Sequence, residues 1–406
     1  MGRSLALSVA SFVTALSLPA ASVATVLEPT GRGVTDSEIK VGVHIPSTGA
    51  VPLPSTSAER GAKLYWEWLR RREVAINGRY VDVAIANDNT NPTQAQSECE
   101  RLIEEENSFM LWGALQAMIG GSSSVIACAR KADELGAPYV SLGNSKVGLR
   151  KLDRYFATSE SLAGQTRAMA AIFEERLDGK TARNGLVWWN PGAYAPLADV
   201  FEAALDKRGM TLDASHDVPV TAGATHAQTV AAQLKAMGIE NVFVIATPTF
   251  MIQLVQAANN QSYFPNWTTM GFSSLLGDNI AQMMCSPDDG FDGTLALSPV
   301  PAFDDRAAYD PTYDEAIDAI YPEAEGGDMT TWLGWSAAKQ LRRLLEAPGR
   351  KLTPARFAES AETGGPYSTR VIPRFGFTDN DHFGGRKSYL LQVDCAEEGW
   401  RTIGKR

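Results

Sequence analysis

Short apolar runs alternate with amphipathic segments, twice over, and this alternation constrains the fold more than any other feature of the chain. In the first run the spacing predicts strands over Ile39–Pro46, Tyr80–Asn87, Phe109–Gly113 and Pro138–Leu142, with helices over Ser57–Arg72, from Asn91 onward, and over Ser123–Leu135. The second run predicts helix Gly164–Leu177, strand Gly185–Trp189, helix Tyr194–Arg208 and a weaker strand near Asp213–Val220. It continues with helix Ala227–Met237, strand Asn241–Ala246, helix Met251–Asn259 and strand Trp267–Phe272. Apolar, β-branched strands separated by helices belong to parallel sheets covered on both faces. The expected class is α/β, with two Rossmann-like lobes built on parallel central sheets. A length of 406 residues agrees, since one domain holds about 100–200.

After Phe272 the pattern changes. Gly293–Pro299 reads as one more strand, helices follow over Asp310–Tyr321 and Met329–Leu345, and Arg370–Ile403 reads as β-rich. A lone strand after two complete runs implies that the chain crosses back to the first lobe and later returns to the second. The expected lobes are residues 36–160 plus 298–373 and residues 161–297 plus 374–406. Several crossings make a multi-strand hinge, and a hinge between two α/β lobes makes a closing cleft.

The N-terminus has the order of a secretory signal: basic Met1-Gly2-Arg3, an apolar stretch from Leu5 to Leu18, Pro19, then small residues with cleavage expected after Ala24. Residues 1–24 are thus expected to be removed on export to an oxidising compartment. Four cysteines there allow three pairings. Asn91-Pro92 opens a helix carrying Cys99 on its apolar side, and Cys128 lies on the inner face of the next helix. Helices flanking one sheet bring Cys99–Cys128 within reach and leave Cys285–Cys395 by default; free buried thiols are the alternative. No Cys-x-x-Cys occurs and His44, His216, His226 and His382 are scattered, so no metal site is expected.

A net charge of −10 argues against a nucleic-acid partner, which needs concentrated Lys and Arg. Catalytic patterns are equally unsupported. Gly179-Lys180-Thr181 has Glu174 where a phosphate loop needs its first glycine, and no strand precedes it. Ser336 and Lys339 have nucleophile spacing, but the helical period accounts for both. His382 beside Asp379 and Asp381 reads as a solvated turn. The expectation is no catalytic residue and no cofactor.

The ordered set of elements resembles the type I periplasmic binding proteins, in particular the leucine/isoleucine/valine-binding receptors of ABC importers. The residues that carry the resemblance are Ile39-Lys40-Val41-Gly42-Val43, Ser47-Thr48-Gly49, Gly61, Asn87-Asp88 and Asn91-Pro92, then Tyr194 after strand Gly185–Trp189, and Pro322 and Pro373. It spans about Ile39 to Ile403. The resemblance implies a periplasmic, monomeric receptor that captures a small molecule and presents it to an inner-membrane permease. A receptor that signals to a protein partner would use the same closing fold.

Carried over position by position, the resemblance implies a ligand site between the lobes. Pro54 stands where the family has a ligand-touching aromatic. The helix-start serine that meets an α-carboxylate falls in a longer segment here, leaving Gln116, Ser122 and Ser123 as candidates. Asn144 and Ser145 match the polar loop after the fourth strand. In the second lobe the candidates are Trp189, Tyr194, Thr247, Phe272 and Ser273. Amino-acid-binding members place an acidic residue near Ser273 to pair with the ligand's ammonium, and none stands there. A buried ammonium without a charged partner costs several kcal/mol. An aromatic or aliphatic carboxylate, or an amide, therefore fits better than an ordinary branched-chain amino acid.

Overall fold

Ile39, Val41, Val43 and Ile45 alternate with Lys40, Gly42 and His44 along β1 (Glu38–Ile45), and both sides of its second half are buried. Such a strand sits inside a sheet covered on both faces. The structure, a computed structural model, describes residues 31–49, 53–113, 115, 122–143, 145–189, 194–219, 221–270, 277–285 and 290–406. The expected signal segment 1–24 lies outside them.

The first half of the chain continues with α1 (Ser55–Arg71), β2 (Tyr80–Asn87), α2 (Pro92–Glu104), β3 (Met110–Trp112), α3 (Ser122–Glu134), β4 (Tyr139–Ser141) and β5 (Tyr155–Glu160). The second run holds α4 (Leu162–Arg176), β6 (Asn184–Trp189), α5 (Pro196–Asp206), β7 (Leu212–Val218), α6 (Ala224–Ala236) and β8 (Asn241–Ile245). It closes with α7 (Pro248–Asn260), β9 (Asn266–Met270), α8 (Asp278–Met284) and β10 (Leu295–Ser298). The last third has α9 (Arg306–Tyr309), α10 (Thr312–Ile320), α11 (Met329–Glu346), α12 (Pro354–Thr363), β11 (Phe383–Gly385), β12 (Tyr389–Asp394) and β13 (Gly399–Lys405).

Two sheets result, ordered β11-β5-β4-β3-β1-β2 and β13-β12-β10-β9-β8-β6-β7. In the first, every pair is parallel. In the second, β7, β6, β8, β9 and β10 are parallel, and β12 and β13 add an antiparallel edge. Both parallel cores follow the doubly wound order 2-1-3-4-5, with strand order reversing between β1 and β3 and between β6 and β8. The α/β class with two parallel central sheets is therefore the observed one.

Side-chain caps fix several helix starts. Asn91 caps α2, its side chain accepting from Thr93 N and Gln94 N at 2.9 and 3.1 Å, with Pro92 at the first helical position. Ser161 caps α4 by accepting from Gly164 N. Both cysteine pairings occur as Cys99–Cys128, which ties α2 to α3, and Cys285–Cys395. Among the described residues no helix is long and apolar enough to cross a membrane.

Four expectations are corrected. The polar Thr-Ser-Glu half of Tyr155–Glu160 shows no strand signal, yet all six residues are buried between β4 and β11. Helix α12 has no counterpart in the expected elements, although Thr353 caps it through Arg356 N. The helix expected from Tyr194 starts at Pro196, which leaves Tyr194 in the turn ahead of it. The tail expected in the second lobe from 374 first gives β11 to the first sheet, where Phe383 packs its ring 5.6 Å from Tyr155. A three-residue strand is too short to show a period.

Candidate functional site

Parallel strands end together, so each sheet presents one carboxyl edge, and an open α/β sheet receives ligands where its strand order reverses. In the first sheet that point lies beyond Ile45 and Trp112. Chain leaving β1 is clamped to chain leaving β2. Ser47 N donates to Asn87 Oδ1 at 3.0 Å, Asn87 Nδ2 donates to Thr48 Oγ1 at 2.8 Å, and Thr48 Oγ1 donates to Asn89 Oδ1 at 2.9 Å. Gly49 sits at φ +114°, where a Cβ would stand 2.1 Å from Asn89 O, so only glycine fits. The Ser47-Thr48-Gly49 and Asn87-Asp88 motifs are two halves of one turn assembly.

Beneath it lies a polar chain that sequence reasoning missed. His44 Nδ1 is 2.7 Å from Asp88 Oδ2 and His44 Nε2 is 2.6 Å from the Tyr139 hydroxyl, with all three side chains buried. A carboxylate only accepts, so Nδ1 carries the proton of the contact with Asp88. Tyr139 stacks on Tyr155, whose hydroxyl lies 2.6 Å from Ser141 Oγ. Burial raises the pKa of both phenols, so they stay protonated. A Cβ on Gly113, just past β3, would stand 2.0 Å from the Tyr139 oxygen. The only trace in the sequence is a histidine inside an apolar strand.

The described first-lobe candidates have different settings. Pro54 is exposed at the start of α1. Ser122 opens α3, as a helix-start serine should, but its side chain, Gln116 and Asn144 lie outside the described residues. Ser123 is exposed and lines an outer groove with Pro92, Gln96 and Ile126. Ser145 is buried and its Oγ accepts from Val147 N at 3.2 Å, which shapes its own turn.

In the second sheet the reversal point is better furnished. Trp189, the last residue of β6, and Tyr194, two residues before the start of α5, have ring centroids 5.4 Å apart and are 7% and 2% exposed. The Trp189 indole N–H is buried with no hydrogen-bond partner among the described residues. Thr247 follows β8 but serves as N-cap of α7, its Oγ1 accepting from Phe250 N at 3.3 Å. Phe272 and Ser273 lie outside the described residues. Away from both edges, His382 is not a solvated turn residue: it stacks 4.3 Å from Phe156 and bonds Glu362 at 3.0 Å.

Two doubly wound sheets, linked by three passages of the chain, define the type I periplasmic binding-protein architecture. A family model described as periplasmic binding protein matches residues 38–399, and the chain belongs to that family. Solved structures agree in fold. The chain is similar to a fatty acid ABC transporter substrate-binding protein from Thermomonospora curvata (TM-score 0.75, 17% identity, 93% of this chain and 94% of that one). It is also similar to the branched-chain amino acid transporter substrate-binding protein LivJ from Streptococcus pneumoniae, in complex with isoleucine (0.72, 14%, 91% and 100%). A third is an R. palustris ABC transporter solute-binding protein in complex with 4-hydroxybenzoate (0.71, 17%, 91% and 97%). No curated protein sequence matches.

Proposed function

We propose that this chain is an exported, periplasmic solute-binding protein of an ABC importer, which closes two lobes over a small organic ligand and carries it, as a monomer, to a membrane permease. One lobe holds the first sheet and the other the second, and the ligand lies between their carboxyl edges. A ligand that touches both lobes binds the closed state preferentially and shifts the population toward it.

The observation that carries the reading is the Trp189–Tyr194 pair at the second reversal point. It combines an aromatic wall with a buried indole donor that has no described partner, and such a donor favours a ligand bearing an acceptor. With no acidic residue at or beside Ser273, an aromatic or aliphatic carboxylate, or an amide, suits the site better than a zwitterionic amino acid. The ligands of the similar structures include both kinds, so they support the importer reading without choosing between them.

Mass spectrometry of material released on denaturing the purified protein tests this directly. Calorimetry with 4-hydroxybenzoate and with isoleucine then compares the two classes. Tyr194→Ala is expected to weaken binding of the released compound by at least about 1–2 kcal/mol, typical of a buried aromatic contact. An unchanged affinity removes Tyr194 from the site, and tight isoleucine binding overturns the ligand class.

A further inference from the structure

The chain leaves the first sheet at Glu160, the last residue of β5, and enters the second through Ser161, the cap of α4. After returning to the first sheet's side it crosses once more between Gly385, the end of β11, and Tyr389, the start of β12. The Glu160 side chain joins these two passages: its Oε2 accepts from Ser388 Oγ at 2.7 Å. Ser388 exchanges two backbone hydrogen bonds of 2.7 Å with Arg406 and is thereby fixed to the antiparallel edge of the second sheet.

The surroundings hold this residue tightly. A Cβ on Gly143 would stand 1.8 Å from Glu160 O, one on Gly164 2.6 Å from Glu160 Cγ, and one on Gly385 2.3 Å from Glu160 N. The charged groups that face the carboxyl are Arg167, from α4, and Arg386, from the later passage. Arg386 is also ion-paired with Asp381 at 2.9 Å. Burial outweighs both guanidinium groups and raises the Glu160 pKa above the ordinary carboxyl value. Gln165 Nε2 donates to Glu160 O at 3.1 Å, which ties the first turn of α4 to the end of β5. An ionised carboxylate only accepts, as it does from Ser388; the acid also has an O–H to donate.

We propose that Glu160 is a positioning residue for lobe closure: as a carboxylate it accepts from Ser388 and holds the two passages in one arrangement, and as an acid it donates and permits another. The inference rests on capture by hinge bending, but not on the identity of the ligand.

Pulsed electron-spin distance measurements on the ligand-free protein test it. The four native cysteines are all in disulfides, so spin labels at Lys151→Cys and Glu202→Cys, both exposed, would occupy the free thiols. The interlobe distance distribution is expected to change along a titration curve centred above the ordinary carboxyl value. Glu160→Gln should abolish that change. Ser388→Ala should move its midpoint to higher pH, because the hydroxyl that favours the charged form is gone. A distribution independent of pH, a Glu160→Gln protein that still titrates, or an unmoved Ser388→Ala midpoint would each overturn the proposal. Should Glu160→Gln not fold, the Ser388→Ala midpoint decides alone. The released-compound experiment above, which needs no titration, separately decides whether the protein captures a ligand.

Discussion

His44 Nδ1 and Asp88 Oδ2 lie 2.7 Å apart with neither side chain reaching solvent. His44 comes from the interior of β1 and Asp88 from the residue after β2, while Tyr139 of β4 completes the chain on the other side of the ring. Three strands are thus joined through one imidazole directly below the first sheet's reversal point. Each polar atom of the ring has a partner, which is what makes such burial affordable in a low-dielectric interior.

Removing the carboxylate strands a buried ring N–H. Asp88→Ala is expected to cost about 2–3 kcal/mol and Tyr139→Phe about 1 kcal/mol, read as shifts of the urea midpoint at constant slope. An Asp88→Ala protein as stable as the parent would mean that the chain contributes nothing net.

Helices α1 and α11 touch backbone to backbone. A Cβ built on Gly334 would stand 2.2 Å from Gly61 O, and one on Gly61 would stand 2.9 Å from Thr330 O. Backbone cannot swing aside as a long side chain can, so the helices must part. Gly334→Ala is expected to destabilise by about 2–3 kcal/mol, despite alanine's better helix propensity. Thermal unfolding checks the sign: a raised Tm would show that the helices separate freely.

The two disulfides close loops of different size, with separations of 29 and 110 residues. On the chain-entropy account, replacing Cys99 and Cys128 by alanine costs about 3.5 kcal/mol, and replacing Cys285 and Cys395 about 4.8 kcal/mol. Chemical denaturation of the two double variants gives the order. The reverse order would show that the buried α2–α3 junction, not loop length, dominates.

Acid sensitivity should have an identifiable source in the second sheet. Burial, and then the charge of His226, hold the His216 pKa below the ordinary imidazole value of 6.5. The unfolded chain therefore takes up this proton first. The contribution to stability is present above about pH 6.5 and is lost as pH falls toward the lower, folded pKa. His216→Gln should flatten the decline of Tm across that interval in differential scanning calorimetry. Glu160 works in the opposite sense, its raised pKa giving stability below the ordinary carboxyl value that is lost as pH rises through the folded one. An unchanged slope in His216→Gln would place the acid response elsewhere.

Wherever local chemistry decides, the sequence is readable. Asn91 and Pro92 specify the start of α2 because cap and first-turn geometry involve only their neighbours. The buried run in β8 specifies a central strand, and the apolar faces of two successive helices bring Cys99 and Cys128 together. The doubled alternation was enough for two parallel sheets. Tyr155–Glu160 and Phe383–Gly385 were not legible, since a polar or three-residue strand exists only through the sheet it joins.

The site divides in the same way. Trp189 and Tyr194 are candidates through the family resemblance, and the fold brings their rings 5.4 Å apart, whereas Thr247, a candidate on the same ground, accepts from Phe250 N as a helix cap. His44, Asp88 and Tyr139 are separated by dozens of residues, and so are Glu160 and Ser388, 228 apart. Which segments become strands and helices, and how they alternate, follows from periodicity within a few turns of chain. Which polar groups meet in the interior is settled by the fold instead, because desolvation makes a buried acceptor seek whichever donor lies near, whatever its distance along the chain.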